Sequence, residues 1–237
     1  METLWNGVRM HTRSGFPLGT DAVLLADFVA AALGKNARVA DLGSGTGALG
    51  LLLCASRADC RVTGVELDEA AHTVALANIA ENGLAARLCA LHGDVRQIAS
   101  LLPAASFDSV VSNPPYFPAG SGRVSGKYPM ARSEAFLPLE ALCAAAAYLL
   151  PTGGRFALVH RPERLCDLFC ALRGAGLEPK RLRFVRHRPD SPVCLVLLEA
   201  RRGGKSGLQL EPELIEFTSD GEASAAYRAA YHTGAKL

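Results

Sequence analysis

A strand, a glycine-rich turn and a helix follow one another directly between residues 38 and 56, and no other feature of the chain constrains its fold as strongly. Arg38-Val39-Ala40-Asp41 has the pattern of a strand, and Ala48 to Ser56 is helical in character. The turn between them reads Leu-Gly-Ser-Gly-Thr-Gly. Glycine accepts positive φ values and allows a ligand to lie against the main chain without an intervening Cβ. The segment therefore predicts a ligand-binding turn within an α/β fold.

The spacing of the glycines limits which ligand this turn suits. Gly43, Gly45 and Gly47 form the pattern Gly-x-Gly-x-Gly, whereas a dinucleotide pyrophosphate is fitted best by Gly-x-Gly-x-x-Gly. The sequence has no Gly-Lys-Ser/Thr, which removes the P-loop. The turn therefore disfavours both of the common phosphate-binding motifs.

Strand and helix patterns alternate regularly along the rest of the chain. Strands are predicted at 38–41, 61–66, 87–91, 107–111, 155–160, 181–186 and 193–200. This alternation predicts an α/β fold with a doubly wound, seven-stranded Rossmann-like sheet, and the closing pair of strands fits a sheet whose last strand runs antiparallel. We expect a single domain over 1–237, with an N-terminal segment and helix packing on the sheet, a catalytic core and a tail, at 1–36, 37–200 and 201–237.

Two helices begin at residues that have two interpretations. Thr20 or Asp21 is predicted to cap a helix through Val29, and contact with a cofactor is an equally weighted alternative. Asp68 is predicted to cap a second helix over 69–81, which Asn82-Gly83 ends. The apolar or small residues of this second helix predict an inward stripe at positions 70, 71, 74, 75 and 77.

Acidic residues follow the second and third strands. Glu66 ends the second strand, where nucleotide-binding doubly wound folds place the acid that holds ribose hydroxyls. Asp68 is the weaker alternative for that role. Asp94 follows the third strand, and it is predicted either to receive an adenine amino group or to cap the helix after it.

The fourth strand ends in Asn113-Pro114-Pro115-Tyr116. The two prolines have no N–H and hold the chain extended, so the strand end is stiff and unable to continue pairing. The Asn113 side-chain oxygen and the Pro114 carbonyl can each accept one hydrogen of an exocyclic NH2 group, while Tyr116 stacks on the ring that carries it. Holding both hydrogens directs the nitrogen lone pair towards an electrophile. A plain proline loop ending a strand is the competing interpretation.

Basic residues are concentrated in two further regions. A Gly- and Ser-rich loop over 119–128 carries Arg123 and Lys127, and it is either an ordinary surface loop or one that orders on substrate. Six Arg or Lys residues lie between Arg173 and Arg188 against one acid, Glu178, with more cations at 201–205. Phosphate contact and a solvated charged face are equally weighted for these stretches.

Composition bounds the class of protein. The chain has 237 residues, a net charge of +2 and 49% hydrophobic residues, which suits one substantial core. Its seven cysteines form no Cys-x-x-Cys, so they are predicted to be small core residues in a reducing compartment, and no metal is expected. Neither a signal peptide nor an apolar run long enough to span a bilayer is evident. We therefore expect a cytoplasmic enzyme with no membrane association.

These motifs together resemble the class I S-adenosylmethionine-dependent methyltransferases that methylate amino groups and carry Asn-Pro-Pro-Tyr. The whole chain is most similar to the bacterial tRNA1(Val) adenine-N6 methyltransferase family. The segments that carry this finer resemblance are Gly19-Thr-Asp-Ala-Val-Leu-Leu-Ala26, Asn113-Pro-Pro-Tyr-Phe117, Ala131-Arg-Ser-Glu134, His160-Arg-Pro-Glu-Arg-Leu165 and the tail around Phe217-Thr218.

The resemblance implies S-adenosyl-L-methionine as cofactor, tRNA as partner with the anticodon loop as the target region, and N6-methylation of an adenine as the reaction. The implied cofactor-binding residues are Thr20, Asp21, Asp41, Gly43, Ser44, Gly45, Gly47, Glu66, Leu67, Asp94, Val95 and Asn113. The implied catalytic residues are Asn113, Pro114, Pro115 and Tyr116, and the implied substrate-binding residues are Phe117, Arg123, Lys127 and Arg132.

Other functions fit the same motif. A glutamine amide of a protein such as a release factor presents an equivalent NH2, but those enzymes typically carry a sizeable helical domain before the cofactor loop, and here only about forty residues precede it. Guanine-N2 methyltransferases of ribosomal RNA often carry a duplicated domain, and the sequence has no internal repeat. A non-catalytic RNA-binding module is disfavoured by the intact motif.

Overall fold

A computed structural model of the chain describes residues 2–3, 7–11, 18–114 and 137–231. Two short N-terminal strands, β1 (Glu2–Thr3) and β2 (Arg9–Met10), form an antiparallel pair. The main sheet of the described residues has nine strands: β3 (Arg38–Leu42), β4 (Arg61–Glu66), β5 (Leu88–His92), β6 (Ser109–Ser112), β7 (Arg155–His160), β8 (Leu177–Arg186), β9 (Val193–Arg202), β10 (Gln209–Leu210) and β11 (Leu214–Ile215).

Seven helices accompany these strands in the described part of the chain. They are α1 (Thr20–Ala30), α2 (Ala48–Ser56), α3 (Glu69–Glu81), α4 (Ile98–Leu101), α5 (Leu139–Leu149), α6 (Leu165–Gly174) and α7 (Ala225–Ala230), with short 3-10 turns at Val95–Gln97 and Pro162–Arg164. None of these helices is both long and apolar enough to cross a membrane.

The sheet order is β10-β8-β9-β7-β6-β3-β4-β5, and β11 also pairs with β8. All seven predicted strands are present, and β9 runs antiparallel to both of its neighbours, which confirms the doubly wound fold with an antiparallel last strand. The predicted strand count was too low, because the tail adds β10 and β11 in parallel register with β8. Each has only two residues, too few to show a strand periodicity in the sequence.

From β3 the chain continues to β4 and β5, which lie on one side of β3 in the sheet. It later returns and places β6 on the other side of β3. In open α/β sheets such a reversal creates a crevice at the carboxyl ends of the two strands, where ligands bind. The carboxyl ends of β3 and β6 carry the predicted glycine turn and the predicted asparagine motif. The topology therefore brings the two predicted motifs to one edge.

Apolar residues cover both faces of the sheet. One buried cluster contains residues of α1 and α2, including Leu24, Phe28 and Leu52. The other contains residues of α5 and α6, including Leu142 and Leu168. Because both faces are covered, the central parallel strands are buried, and functional groups become accessible at the strand ends.

Three details of the sequence interpretation were wrong. Gly19 is the N-cap of α1, and neither Thr20 nor Asp21 caps it, because Thr20 is already the first helical residue. The buried stripe of α3 consists of residues 71, 75, 78 and 79, so it includes a polar residue, Asn78. The cysteines are all free, but only some lie in the core: Cys89, Cys166 and Cys170 are exposed.

Four arginines of the basic stretch are paired with acids within the fold. Arg181 contacts the buried Glu199 at 2.8 Å and Glu211 of the tail at 2.6 Å, and Arg183 contacts Glu211 at 2.6 Å. Two further ion pairs join Arg186 to Glu213 at 2.9 Å and Arg173 to Glu178 at 2.9 Å. The structure thus favours a charged face over a phosphate-binding surface for this stretch.

Candidate functional site at the carboxyl ends of β3, β4 and β6

The glycine turn after β3 has the backbone conformation that its sequence predicts. Gly43, Gly45 and Gly47 have φ values of 73°, 55° and 81°, in the left-handed region that glycine adopts readily. The N–H groups of Gly43 and Ser44 donate to the Val65 carbonyl at 2.9 and 3.1 Å, which ties the turn to the end of β4. The turn is therefore held in an open conformation with no Cβ at three of its positions.

Glu66, at the end of β4, is oriented by backbone donors. Its carboxylate accepts the Gly45 N–H and the Asp68 N–H, both at 2.7 Å. A carboxylate oxygen has acceptor capacity for more than one donor, so each oxygen retains capacity for a ligand hydroxyl. Asp68 caps α3, where its side chain accepts the Ala71 N–H at 3.0 Å. This division of roles supports the prediction of Glu66 rather than Asp68 as the ribose ligand.

Asp41, in β3, has a buried carboxyl group. It is 1% exposed, and its Oδ2 atom has no hydrogen-bond partner among the described residues. Burial, with a smaller contribution from the charge of Glu66, raises the pKa of Asp41 to about 7. The Ser44 hydroxyl is also buried and lacks a partner in the described part of the chain. A cationic ligand beside these groups stabilises the ionised carboxylate.

The end of β6 is registered directly against β3. Val111 pairs with Asp41, and Asn113 follows two residues beyond that pair. The buried Ser112 hydroxyl donates to the Leu42 carbonyl at 2.7 Å, which joins the two strand ends at the point where the glycine turn begins. Pro114, the next residue after Asn113, is also buried. The predicted asparagine corner and the predicted cofactor turn are thus neighbours.

The family of the chain follows from comparison with known proteins. A family model described as "Methyltransferase small domain" matches residues 4–167. The chain belongs to this methyltransferase family.

Relatives and solved structures agree with that assignment. Proteins named tRNA1(Val) (adenine(37)-N6)-methyltransferase are 36% identical over 195 residues in Porphyromonas gingivalis and 37% identical over 199 residues in Dickeya chrysanthemi. The match with the first relative covers 81% of this chain and 76% of that relative. The match with the second covers 83% of this chain and 77% of that relative.

The fold is also that of solved methyltransferases. A protein of Agrobacterium tumefaciens described as a predicted O-methyltransferase has a TM-score of 0.75 at 23% identity, over 92% of this chain and 98% of the other. A geranyl diphosphate methyltransferase solved in complex with SAM has a TM-score of 0.57 at 15% identity, over 76% and 85%.

Three other predicted cofactor residues, Leu67, Asp94 and Val95, differ in their exposure and hydrogen bonding. Asp94 caps the 3-10 turn after β5 and contacts Arg96 at 2.6 Å, and the Arg96 guanidinium holds the pKa of that carboxyl below its usual value. Leu67 is 36% exposed beside Glu66, and His92 contacts its carbonyl at 2.9 Å. Val95 is buried. Asp94 therefore has the capping role, and its contact with adenine stays a prediction.

The remaining predicted residues lie at the margin of the site or outside the described residues. Thr20 accepts a hydrogen bond from the Tyr231 hydroxyl at 3.1 Å, and Asp21 accepts the Ala22 N–H at 2.8 Å. Contact of Thr20 and Asp21 with the cofactor stays a prediction. Outside the described residues lie Pro115, Tyr116, Phe117, Arg123, Lys127 and Arg132.

Two residues that shape the site were not predicted from the sequence. Ser112 joins the two strand ends, and Asn78 of α3 donates to the Thr46 carbonyl of the glycine turn at 3.0 Å. A polar residue within an otherwise small or apolar stripe was the signal available for Asn78.

Proposed function

We propose that this methyltransferase transfers a methyl group from S-adenosyl-L-methionine to the exocyclic N6 amino group of an adenine in tRNA. The observation that carries the proposal is the register of β3 and β6, which brings Asn113 and Pro114 beside the glycine turn. The names of the relatives in Porphyromonas gingivalis and Dickeya chrysanthemi support adenine as the base and tRNA as the substrate.

The chemistry of the β3 and β4 ends fits S-adenosyl-L-methionine. Asp41 is a buried carboxyl whose ionisation is costly without a cation, and the cofactor carries a permanent sulfonium charge. Glu66 retains acceptor capacity for ribose hydroxyls, and the glycines at 43, 45 and 47 allow a ligand to approach the backbone closely. We assign Ser44 to the same ligand because its buried hydroxyl has no hydrogen-bond partner among the described residues.

The remaining cofactor assignments are those that the resemblance implies. Leu67 and Val95 lie on the adenine side, with Asp94 as an acceptor for the adenine amino group, and Thr20 and Asp21 lie at the start of α1. When bound, S-adenosyl-L-methionine supplies a methyl group on a positively charged sulfur, which makes that carbon electrophilic. The chain's own residues then have to bring a nucleophilic nitrogen into line with it.

Asn113 and Pro114 orient that nitrogen. The Asn113 side-chain oxygen and the Pro114 carbonyl each accept one hydrogen of the adenine amino group, which directs the nitrogen lone pair towards the methyl carbon. By its residue type Pro115 is expected to favour an extended backbone, and we assign stacking on the base to Tyr116 and Phe117. Alignment and proximity supply most of the acceleration, so the reaction needs no strong general base and no metal ion.

The target adenine has to leave its stack to reach this corner. Bases in single-stranded loops of RNA are splayed out at modest cost, and the relatives' names specify adenine 37, so we propose the anticodon loop as the target region. Because the arginines of β8 are paired within the fold, we assign phosphate contact to Arg123, Lys127 and Arg132. A tRNA substrate is consistent with a cytoplasmic enzyme.

Radiolabelled methyl transfer tests the substrate. The purified chain is incubated with labelled cofactor and, in separate reactions, with bulk tRNA, a release factor or ribosomal RNA from one extract that lacks the enzyme. We expect label in tRNA as N6-methyladenosine. Label in the release factor or in guanine of ribosomal RNA would replace the proposal with one of the rival amino-group methyltransferases.

Substitution of Asn113 tests the catalytic role. We expect Asn113→Ala to reduce turnover by at least about a hundredfold, since it removes one of two acceptors for the amino group, and to leave the Kd for S-adenosyl-L-methionine within about threefold. Isothermal titration calorimetry measures the second quantity independently of the first. Equal losses in turnover and in cofactor binding would show that Asn113 belongs to the cofactor site instead.

A further inference from the structure

Two asparagines, Asn78 within α3 and Asn82 at its C-cap, pair with the N-terminal segment as a neighbouring strand would. Asn82 accepts the Arg9 N–H at 2.8 Å and donates to the Arg9 carbonyl at 2.7 Å. Asn78 accepts the His11 N–H at 2.7 Å and donates to the His11 carbonyl at 3.4 Å. The backbone groups of residues 9 and 11 are therefore satisfied by side-chain amides of a helix.

The spacing of the two asparagines explains why this arrangement fits. Residues four apart on a helix are separated by about 6 Å along its axis, and alternate residues of an extended chain are about 6.5 Å apart. Two side-chain amides four residues apart can therefore pair with the backbone groups of two alternate residues in one extended segment. Met10, between them, points to the opposite side and is buried in the core cluster of α1 and α2.

Asn78 makes one contact that Asn82 does not. Its amide also donates to the Thr46 carbonyl at 3.0 Å, inside the glycine turn. Both Asn78 and Thr46 are buried, at 0% and 3% exposure, so this carbonyl has little access to water as a replacement donor. The adjacent Gly45 N–H is held by Glu66, and a Cβ at Gly47 would lie 3.4 Å from the Ala75 Cβ of α3. The turn is thus fixed from both sides.

We infer that Asn78 is a positioning residue for the cofactor turn, held in place by its hydrogen bonds to His11 of the N-terminal segment. The inference rests on the proposed binding of S-adenosyl-L-methionine at the glycine turn. Loss of the Asn78 amide leaves the buried Thr46 carbonyl without its donor, and the turn then relaxes away from the conformation that binds the ligand. The effect falls on cofactor affinity and leaves the alignment of the base at Asn113 unchanged.

Asn78→Ala and Asn82→Ala form a matched pair for the test. Each variant removes one asparagine and frees one residue of the N-terminal segment, but only Asn78→Ala loses the contact with the glycine turn, and only Asn82→Ala loses an amide donor to the Asn78 carbonyl. We expect Asn78→Ala to raise the Kd for S-adenosyl-L-methionine about tenfold and Asn82→Ala to change it less than about twofold. Thermal unfolding midpoints are expected to fall in both variants.

Kinetics separate positioning from a general loss of structure. At saturating cofactor, kcat and the KM for tRNA of Asn78→Ala are expected to stay within about twofold of wild type, with the KM for the cofactor raised. Where the alanine variant does not fold, Asn78→Leu replaces it, since it keeps approximately the side-chain volume of Asn78, introduces no charge and cannot donate to Thr46. The same rise in Kd is expected.

The outcomes distinguish this inference from the proposed function. Equal Kd values for the Asn78 and Asn82 variants, or a fall in kcat without a change in Kd, would overturn the positioning role. A wild-type chain that does not bind S-adenosyl-L-methionine would overturn the proposed function itself. Calorimetric measurement of Kd requires no tRNA, so an error in the substrate assignment leaves the test intact.

Discussion

Replacement of Asp41 by asparagine is predicted to stabilise the ligand-free methyltransferase and to weaken its hold on the cofactor. Burial and the nearby Glu66 raise the pKa of Asp41 from an ordinary 3.8 to about 7. The folded state therefore keeps a proton on Asp41 at pH values where the unfolded chain has lost it. Consequently this group reduces the free energy of unfolding as pH rises from about 4 to about 7, and the reduction is complete above that window.

The size of the effect follows from the two pKa values. Ionised Asp41 costs about 4 kcal/mol of folding free energy above pH 7, and roughly half of that or less at pH 5. Asparagine has no charge, so the difference in unfolding free energy between Asp41→Asn and wild type is expected to be about 2 to 3 kcal/mol larger at pH 8 than at pH 5. Carboxyl groups that do not interact with Asp41 titrate alike in both proteins and cancel in the subtraction.

Two assays check the prediction. Urea unfolding of both proteins at pH 5 and pH 8, without ligand, gives the stability difference. Calorimetry with S-adenosyl-L-methionine is expected to show wild-type affinity rising between pH 5.5 and 7.5, as Asp41 ionises, and weaker, pH-independent binding to Asp41→Asn. A stability difference that is the same at both pH values, or unchanged cofactor affinity in the variant, would refute the account of Asp41 as a buried acid that requires a cation.

Three further substitutions test neighbouring parts of the structure. Gly47→Ala is expected to weaken cofactor binding by about tenfold or more in a calorimetric titration, whereas Gly153→Ala, at a similar φ of 87° but in open space, is expected only to lower stability. Ser112→Ala should lower the unfolding free energy by about 1–2 kcal/mol, because the buried Leu42 carbonyl loses its donor, and should reduce kcat more than cofactor affinity. Glu211→Gln should destabilise the fold by about 2 kcal/mol in urea, and Glu213→Gln, at a more exposed pair, by less than about 1 kcal/mol. Equal effects of the two glycine substitutions, or of the two glutamate substitutions, would contradict the role given to Gly47 or to Glu211. An unaltered kcat in Ser112→Ala would contradict the role given to its hydrogen bond with Leu42.

Most of the sheet was predictable because its signals are local. The strand at 61–66 and the helices at 48–56 and 69–81 have the bounds that their apolar patterns and ends predict. Asp68 supplies a side-chain cap for α3, and Asn82 ends it. Short-range hydrogen bonding and apolar periodicity determine these elements, and both can be seen in a window of about a dozen residues.

The positions of the candidate site residues were predictable to the extent that strand ends determine them. Glu66 was assigned as the acid that ends the second strand and Asn113 from the motif that ends the fourth, and the register of β3 with β4 and β6 brings those two strand ends to one edge of the sheet. The contacts that fix the site were not predictable. Asn78 and Thr46 are 32 residues apart, and Ser112 and Leu42 are 70 apart, so neither pair produces a pattern in the sequence.

The same limit explains why two interpretations of the basic stretch stayed open. The arginines of β8 and the glutamates that neutralise them are separated by roughly thirty residues of chain, and the two short strands that align them have no periodicity. Composition alone therefore left phosphate contact and a charged face equally weighted. The tertiary structure decides between them because it brings the opposite charges within 3 Å.

The carboxylates that the tail places along β8 also have a consequence for the proposed tRNA substrate. A nucleic acid is drawn to any row of guanidinium groups, whether or not catalysis takes place there, and a second attractive surface would hold tRNA in unproductive orientations. Glu211 and Glu213 shield such a row, and β10 and β11 cap the outer strand against pairing with another molecule. A chain shortened before β10 would still contain every proposed catalytic group, but the exposed arginines of β8 would bind RNA away from those groups.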